Sequence, residues 1–427
     1  MKYESSNWYP LDNAGKLYPS IMSWRVTTVF RFSVTLKKLV DKDALQSALN
    51  IIINRFPYFQ VNLRPGFFWY YFDQTNKKPL VEKEEYYPCT GMELKRNDTF
   101  PFRVFYFNCK ISVEFTHAIT DGTGALVFFK CLLNEYFNKL GVKTSPINEV
   151  FFKYDSIPSN AEFEDSFKKH FNPNIPSPTL MPLAFHFPMD LDTKGVYHIV
   201  TGILPLTEVL KLSKSYSSTI TEFLIAIYFE TIIDYMKLLD ENDIPFSMRP
   251  IILNVPVNLR KMYNSTTLRN FFVSVTPMLD PRLGDYTFEE IIQIVKSYME
   301  IKTHKRFINQ HISKNVKSEL FFINRTVPLV IKNLLMPLAY STFAEGIYTS
   351  GLSNLGKITL PKEIEGFIEK FEAYPPPSLG NKIKVVVLSF KENLFISFGK
   401  VTTDSNIERI FFTKLRKLGI PIKIETN

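Results

Sequence analysis

The sequence predicts an α/β protein built as two sandwich domains of related design, on three observations. The chain has 427 residues, more than one ordinary core takes up, so two domains of about 200 residues each are the natural division. Strand-like and helix-like segments alternate in the first third of the chain, and a similar order returns after residue 195. Between the two series, residues 156–194 are rich in Pro, Asn, Ser and charge, with Pro158, Pro173, Pro176, Pro178, Pro182 and Pro188. That is the composition of a crossover, not of a packed element. The expected division is an N-terminal domain over 1–155, a crossover over 156–194 and a C-terminal domain over 195–427.

The first series opens with "RVTTVFRFSVTL" (25–36), whose β-branched and aromatic residues predict a strand. Asp41 is placed to cap the next helix, in which Leu45, Leu49, Ile52 and Ile53 recur at helical spacing. Short strands "YFQVNL" (58–63) and "FFWYYF" (67–72) flank an Arg-Pro-Gly turn at 64–66. "FRVFYF" (102–107) and "ISVEFTH" (111–117) predict a hairpin turning at Asn108–Lys110. The following helix is expected to bury Ala125, Phe128, Phe129, Leu132, Tyr136 and Leu140. The second series runs from a strand at 196–205 through helices starting near Thr207 and Thr219 to strands over 249–260 and 270–279. A long helix from about Tyr286 leads into Lys- and Phe-rich helical segments. A strand around "GIYTSGLSNLG" (346–356), a hairpin over 383–400 and a helix stopped by Gly419 complete the chain.

Composition narrows the function. A hydrophobic fraction of 45%, with 39 Phe and 21 Tyr, suits extensive burial and not disorder. The net charge of +9 is dispersed, without a run of five or six like charges, so nothing points to a nucleic-acid groove. Three cysteines, an odd number without a CxxC pair, argue against a disulfide framework or structural zinc and suit a reducing compartment. The first residues hold no apolar run of signal-peptide length. The most apolar helical stretch, 220–236, is interrupted by Glu222, Glu230 and Asp234, short of the roughly 20 apolar residues that a membrane span needs. The expectation is a cytoplasmic protein with no membrane span.

Chemistry concentrates in "FTHAITDGTGALVFF" (115–129). A strand ends at His117, Asp121-Gly122 closes the turn, and Gly124 keeps it uncrowded before the helix. A neutral imidazole can take a proton from an alcohol, amine or thiol attacking a carbonyl. An isolated strand-end histidine would more simply be satisfied by local backbone. Here the glycine-containing turn lets the side chain face a cleft while rigid elements hold it. Asp121 sits where Asp is a preferred N-cap, so its role is structural. An aspartate buried there needs a cation. The candidate is Arg260, at the end of "IILNVPVNLR", which could otherwise mark only the strand's exit to solvent.

This HxxxDG pattern between strand and helix resembles the signature of chloramphenicol-acetyltransferase-like acyl-CoA-dependent acyltransferases. That superfamily includes alcohol acetyltransferases and peptide-synthetase condensation domains. "YPLDNAGKLYP" (9–19), "RFPYFQVNLRPGFFW" (55–69), "NVPVNLRKMYNSTTLRNFF" (254–272) and "TSGLSNLGKITLP" (349–361) resemble segments of the group in the same order, the closest look being to bacterial alcohol-acetyltransferase-like proteins. The resemblance implies two chloramphenicol-acetyltransferase-like α/β sandwich domains with a tunnel between them. Acyl-CoA, a co-substrate and not a bound cofactor, would enter from one face and a small-molecule acceptor from the other.

The resemblance makes His117 the general base and Asp121 a structural partner of Arg260, with Gly122 keeping the pantetheine channel open. Asn270 falls near the channel, although Arg269 stands where relatives often have Gly. Ser353 and Asn354 fall where relatives place an oxyanion donor, though Ser, Asn and Gly are equally common in turns. Thr116 replaces the second histidine of many relatives, and the DFGWG segment of the plant enzymes is not recognisable. No metal is expected. His304 and His311, seven apart, fit an exposed helical face better than a metal site. Leu355 breaks a G-x-S-x-G elbow, and neither GxGxxG nor a P-loop occurs. The leading expectation is an alcohol O-acyltransferase. The alternatives are a condensation-type enzyme that takes carrier-protein thioesters and an amine, and a non-catalytic binding member of the fold.

Overall fold

The computed structural model describes residues 8–427 apart from 24–25, 97, 150–151, 322–324 and 342–344. Arg25, first in the expected opening strand, therefore lies outside the described residues.

In the first lobe, β1 (Trp8–Pro10) and the short α1 (Tyr18–Ile21) precede β2 (Val29–Leu36). Helix α2 (Lys42–Ile52) starts where Asp41 accepts a hydrogen bond from the Ala44 amide. The hairpin β3 (Val61–Pro65) and β4 (Tyr70–Gln74) is shifted by a few residues from its expected place. Strands β5 (Val81–Lys83), β6 (Phe102–Phe107) and β7 (Lys110–Thr116) lead to α3 (Gly122–Lys139). That helix ends before Leu140, which is 44% exposed and not the buried residue expected from periodicity. Past the helix end, the spacing that placed Leu140 on the apolar face no longer applies.

The second lobe contains β8 (His198–Pro205), α4 (Leu206–Ser215), α5 (Ile220–Glu241), β9 (Ile251–Asn258), α6 (Arg260–Tyr263) and β10 (Phe272–Val275). Helices α7 (Phe288–Lys302), α8 (Lys305–Leu320) and α9 (Leu329–Tyr340) follow. Capping boxes at Thr219–Glu222 and Thr287–Glu290 start α5 and α7. The chain closes with β11 (Ser350–Ile358), β12 (Ile368–Tyr374), β13 (Ile383–Phe390), β14 (Asn393–Lys400), α10 (Asn406–Lys417) and β15 (Lys423–Thr426). Arg260 does not end a strand as expected. The strand stops at Asn258, and Arg260 opens a single helical turn.

The second-lobe sheet runs β10-β9-β11-β13-β14-β8-β15, with β9, β11 and β13 parallel. The first-lobe sheet runs β12-β2-β7-β6-β5. Its edge strand β12 comes from the C-terminal half of the chain and pairs antiparallel with β2, Phe371 opposite Val34. Sequence reading did not foresee it, because Glu369, Lys370 and Glu372 break up the apolar pattern.

Each lobe buries its own apolar core. The first is aromatic. Phe115 on β7 meets Phe128 on α3 edge to face at 5.3 Å and stacks on Phe102 of β6 at 5.2 Å. This packing fixes the end of β7 against the start of α3, where the HxxxDG turn lies.

Candidate active site

His117 follows the last residue of β7, and its amide donates to the Thr28 carbonyl at 3.0 Å. Thr28 holds φ at +55°, uncommon for a β-branched residue, so the backbone that cradles His117 is strained. The imidazole stacks on Tyr18 of α1 at 5.3 Å and lies 4.5 Å from the Phe30 ring of β2. Burial pushes its pKa down to about 4, against the opposing pull of the Asp121 charge. The ring is therefore neutral at physiological pH. Its Nδ1 is buried without a hydrogen-bond partner among the described residues. Ring packing holds the base in place, and among the described residues no carboxylate bonds to the imidazole.

Asp121 is occupied elsewhere. Its Oδ1 caps α3 by accepting from the Thr123 and Gly124 amides, each at 3.1 Å. Its two oxygens take both terminal nitrogens of Arg260 at 2.9 Å, a bidentate pair, and Oδ2 also accepts from the Phe271 amide at 2.9 Å. Arg260 is 2% exposed and donates further to the Thr267 and Arg269 carbonyls at 2.6 Å. This pair ties the start of α3 to the loop between β9 and β10 across the two lobes. Gly124 is needed for the same approach, because an added Cβ would stand 2.1 Å from the Leu268 carbonyl oxygen. At Gly122 a Cβ would meet the end of the Leu355 side chain at 3.3 Å and the edge of the Phe32 ring at 3.9 Å, with no backbone in the way.

A cavity of about 570 Å³ opens between the lobes and is lined by His117, Tyr18, Phe30 and Gly122 on one side and by Asn254, Ser353 and Lys384 on the other. A larger one of about 730 Å³ lies near Cys89 and Tyr197. It holds none of the site residues singled out by sequence, whereas the smaller one is lined by His117, Asp121, Gly122, Ser353 and Asn354. Asn270, expected beside the channel, does not line this cavity. It is buried behind the histidine, where its Nδ2 donates to the His117 carbonyl at 2.9 Å and to Asp12 at 3.1 Å.

Ser353 and Asn354 separate by strand alternation. Ser350, Leu352 and Asn354 face α5: the Ser350 hydroxyl meets Tyr228 at 2.8 Å, and Asn354 Nδ2 donates to Thr221 at 2.9 Å. Asn354 Oδ1 accepts from the Gly356 amide at 2.8 Å, so both ends of this amide are engaged within the fold. Ser353 projects to the opposite face of the strand with its hydroxyl unengaged among the described residues, and both it and Asn354 line the cavity, as expected.

Two residues here escaped the sequence reading. Asp12 is buried, accepts from the Gly15 amide at 2.6 Å and holds Asn270. Burial raises its carboxyl to about 7, against the pull of Arg269. Lys384 on β13 points into the cavity, and burial lowers its pKa to about 8. Its one hydrogen bond, to the Pro376 carbonyl at 3.2 Å, leaves the charge without a bonded anion among the described residues. A lysine within "IKVVV" could have signalled a wet spot in an otherwise dry strand.

No protein-family model and no curated protein matches the chain. Solved structures do. The condensation domain of the Monacolin K polyketide synthase MokA is 11% identical, with 96% of each chain covered and a TM-score of 0.59. Trichothecene 15-O-acetyltransferase from Fusarium sporotrichioides is 10% identical, with 97% of this chain and 96% of that one covered and a TM-score of 0.61. Polyketide synthase associated protein 5 from Mycobacterium tuberculosis is 11% identical, with 96% of each chain covered and a TM-score of 0.56. The chain thus has, over 96–97% of its length, the two-lobed fold of condensation domains and of this acetyltransferase.

Proposed function

We propose that this two-lobed chain is an acyltransferase that moves an acyl group, acetyl in the simplest case, from acyl-CoA to an alcohol. The observation that carries the reading is His117: a neutral imidazole, fixed between aromatic rings, in a cavity that both lobes line. The acceptor hydroxyl gives its proton to the imidazole as its oxygen attacks the thioester carbonyl. A tetrahedral oxyanion forms, collapses to the ester and expels the CoA thiolate, which takes the proton back from the imidazolium. The chain forms no covalent intermediate on this path.

The oxyanion needs a donor, a contribution of about 2.7–4 kcal/mol where single donors have been removed in other enzymes. The Ser353 hydroxyl and the Lys384 ammonium are cavity groups that support this role, whereas the Asn354 amide is already engaged. Asp121 and Arg260 take no part in proton transfer. They hold the turn that presents His117.

The second reading, a condensation reaction with a carrier-protein thioester and an amine, is favoured by the similarity to condensation domains. Release of free thiol from acetyl-CoA, with and without a panel of alcohols, distinguishes the two. Thiol release that depends on the alcohol and vanishes in His117→Ala supports the proposal. Turnover of a carrier-protein thioester but not of acyl-CoA would replace it with the condensation reading. Inertness toward both donors would leave a binding protein.

A further inference from the structure

Helix α9 is amphipathic with its faces reversed. Its polar residues point into the protein: Lys332 Nζ donates to the Phe68 carbonyl at 2.8 Å and lies 3.5 Å from the centre of the Trp69 ring, and Asn333 Nδ2 donates to the Tyr70 hydroxyl at 2.9 Å. Its aliphatic residues point out. Val330 is 81% exposed and Leu334 is 71% exposed, with Ile331 and Leu335 beside them on the same face at helical spacing. Ordinary surface helices show the opposite arrangement. The β3–β4 hairpin tip, joined to α9 by the Leu329 amide on the Phe67 carbonyl at 2.8 Å, adds Phe67 and Phe68, also exposed.

The segment that carries α9 has charge of one sign. No Asp or Glu occurs between Glu319 and Glu345. Arg325, just before the helix, is exposed, and so is Lys95, which lies over the Tyr70 ring that holds Asn333. Neither has an acidic partner among the described residues. An outward apolar face rimmed by cations complements an anionic bilayer surface, where aliphatic and Phe side chains enter the acyl boundary and cations meet headgroups. With 12 residues α9 is about 18 Å long, too short to cross a bilayer, and no described helix is long and apolar enough to do so.

We infer that α9 and the Phe67–Phe68 hairpin tip form a docking face for an anionic lipid bilayer, on which the protein sits peripherally. Tyr340, the last residue of α9, lines the cavity of His117. Docking therefore brings that cavity close to the membrane. The inference does not depend on the acyl-transfer reading, because binding is measured without turnover.

Cosedimentation of the full chain with phosphatidylcholine vesicles, with and without phosphatidylglycerol, tests it. The protein is expected to pellet with the anionic vesicles. Val330→Ser/Leu334→Ser, which changes only exposed side chains, should reduce partitioning at least about tenfold with an unchanged melting temperature. Phe67→Ser/Phe68→Ser, on a separate element, should do the same, and Lys95→Glu/Arg325→Glu should abolish the preference for anionic lipid. A wild-type protein that stays in solution with both vesicles overturns the inference. Equal binding by both serine pairs overturns it too. A dimer that the serine pairs dissociate, with no vesicle binding, would assign the face to a second copy of the chain.

Discussion

His117 and Asp121 stand four residues apart, yet their substitutions should fail in different ways. His117→Ala removes the base while the surrounding rings and the Asp121 network stay in place. Turnover should fall about 10²- to 10⁴-fold, the usual share of general base catalysis, with a nearly unchanged melting curve. The pH profile adds a second check. The base works when deprotonated, and burial lowers its pKa to about 4. The acid limb of kcat/KM should therefore lie near pH 4, and a limb near the ordinary histidine value of about 6.5 would contradict the burial. Asp121→Asn keeps a cap but leaves Arg260, 2% exposed, without its charge partner. Such a break costs about 3–5 kcal/mol, read as a lower urea midpoint; a loss under about 1 kcal/mol would show that the pair is not what holds the loop. Both residues were legible in sequence because each is a polar group at the end of an apolar element. Asp12 and Lys384 were not. "LDNAG" looks like any turn, and the Asp12 partner Asn270 is 258 residues away.

Among elements, the start of α3 and strand β11 carry most of the site's geometry. The two glycines at the start of α3 predict opposite outcomes. Gly124→Ala places a Cβ 2.1 Å from backbone and should abolish folding or lower the melting temperature sharply. Gly122→Ala meets a flexible leucine at 3.3 Å and the Phe32 ring at an ordinary 3.9 Å, so the protein should fold, and any effect should appear in KM for the donor. Equal destabilisation by both would mean that the lobes do not close as described. On β11, alternation assigns neighbours to different tasks. Ser353→Ala should lower kcat, by roughly 10²–10³ if it is the sole oxyanion donor. Asn354→Ala should cost stability through Thr221 and Gly356, with kcat little changed. Sequence placed both residues at the site because type and spacing are visible there. Both line the cavity, but which of them keeps a free polar group there depends on partners outside the segment, Thr221 above all, that the sequence does not reveal.

At the scale of the whole molecule, the lobes are joined by more than a crossover. Strand β12 leaves the C-terminal half to become the edge of the first-lobe sheet, where it covers the open side of β2. The Asp121–Arg260 pair, the Asn270 bonds to Asp12 and His117, and the Arg269 bond to the Pro10 carbonyl at 2.8 Å all cross in the other direction. Two sandwich domains were legible from alternation and length, but this exchange was not, because an edge strand interrupted by charges has no apolar run to announce it. Its consequence is thermodynamic. If the first lobe melts, β12 loses its partner and Arg260 loses its counter-charge, so the second lobe is destabilised at the same moment. Calorimetry of the full chain should therefore show one transition, with matching calorimetric and van't Hoff enthalpies. Residues 1–194 expressed alone should expose the edge of β2 and aggregate. Two well-separated transitions, or a soluble and cooperatively melting 1–194 fragment, would show that the lobes fold independently and that the exchanged strand is only an attachment.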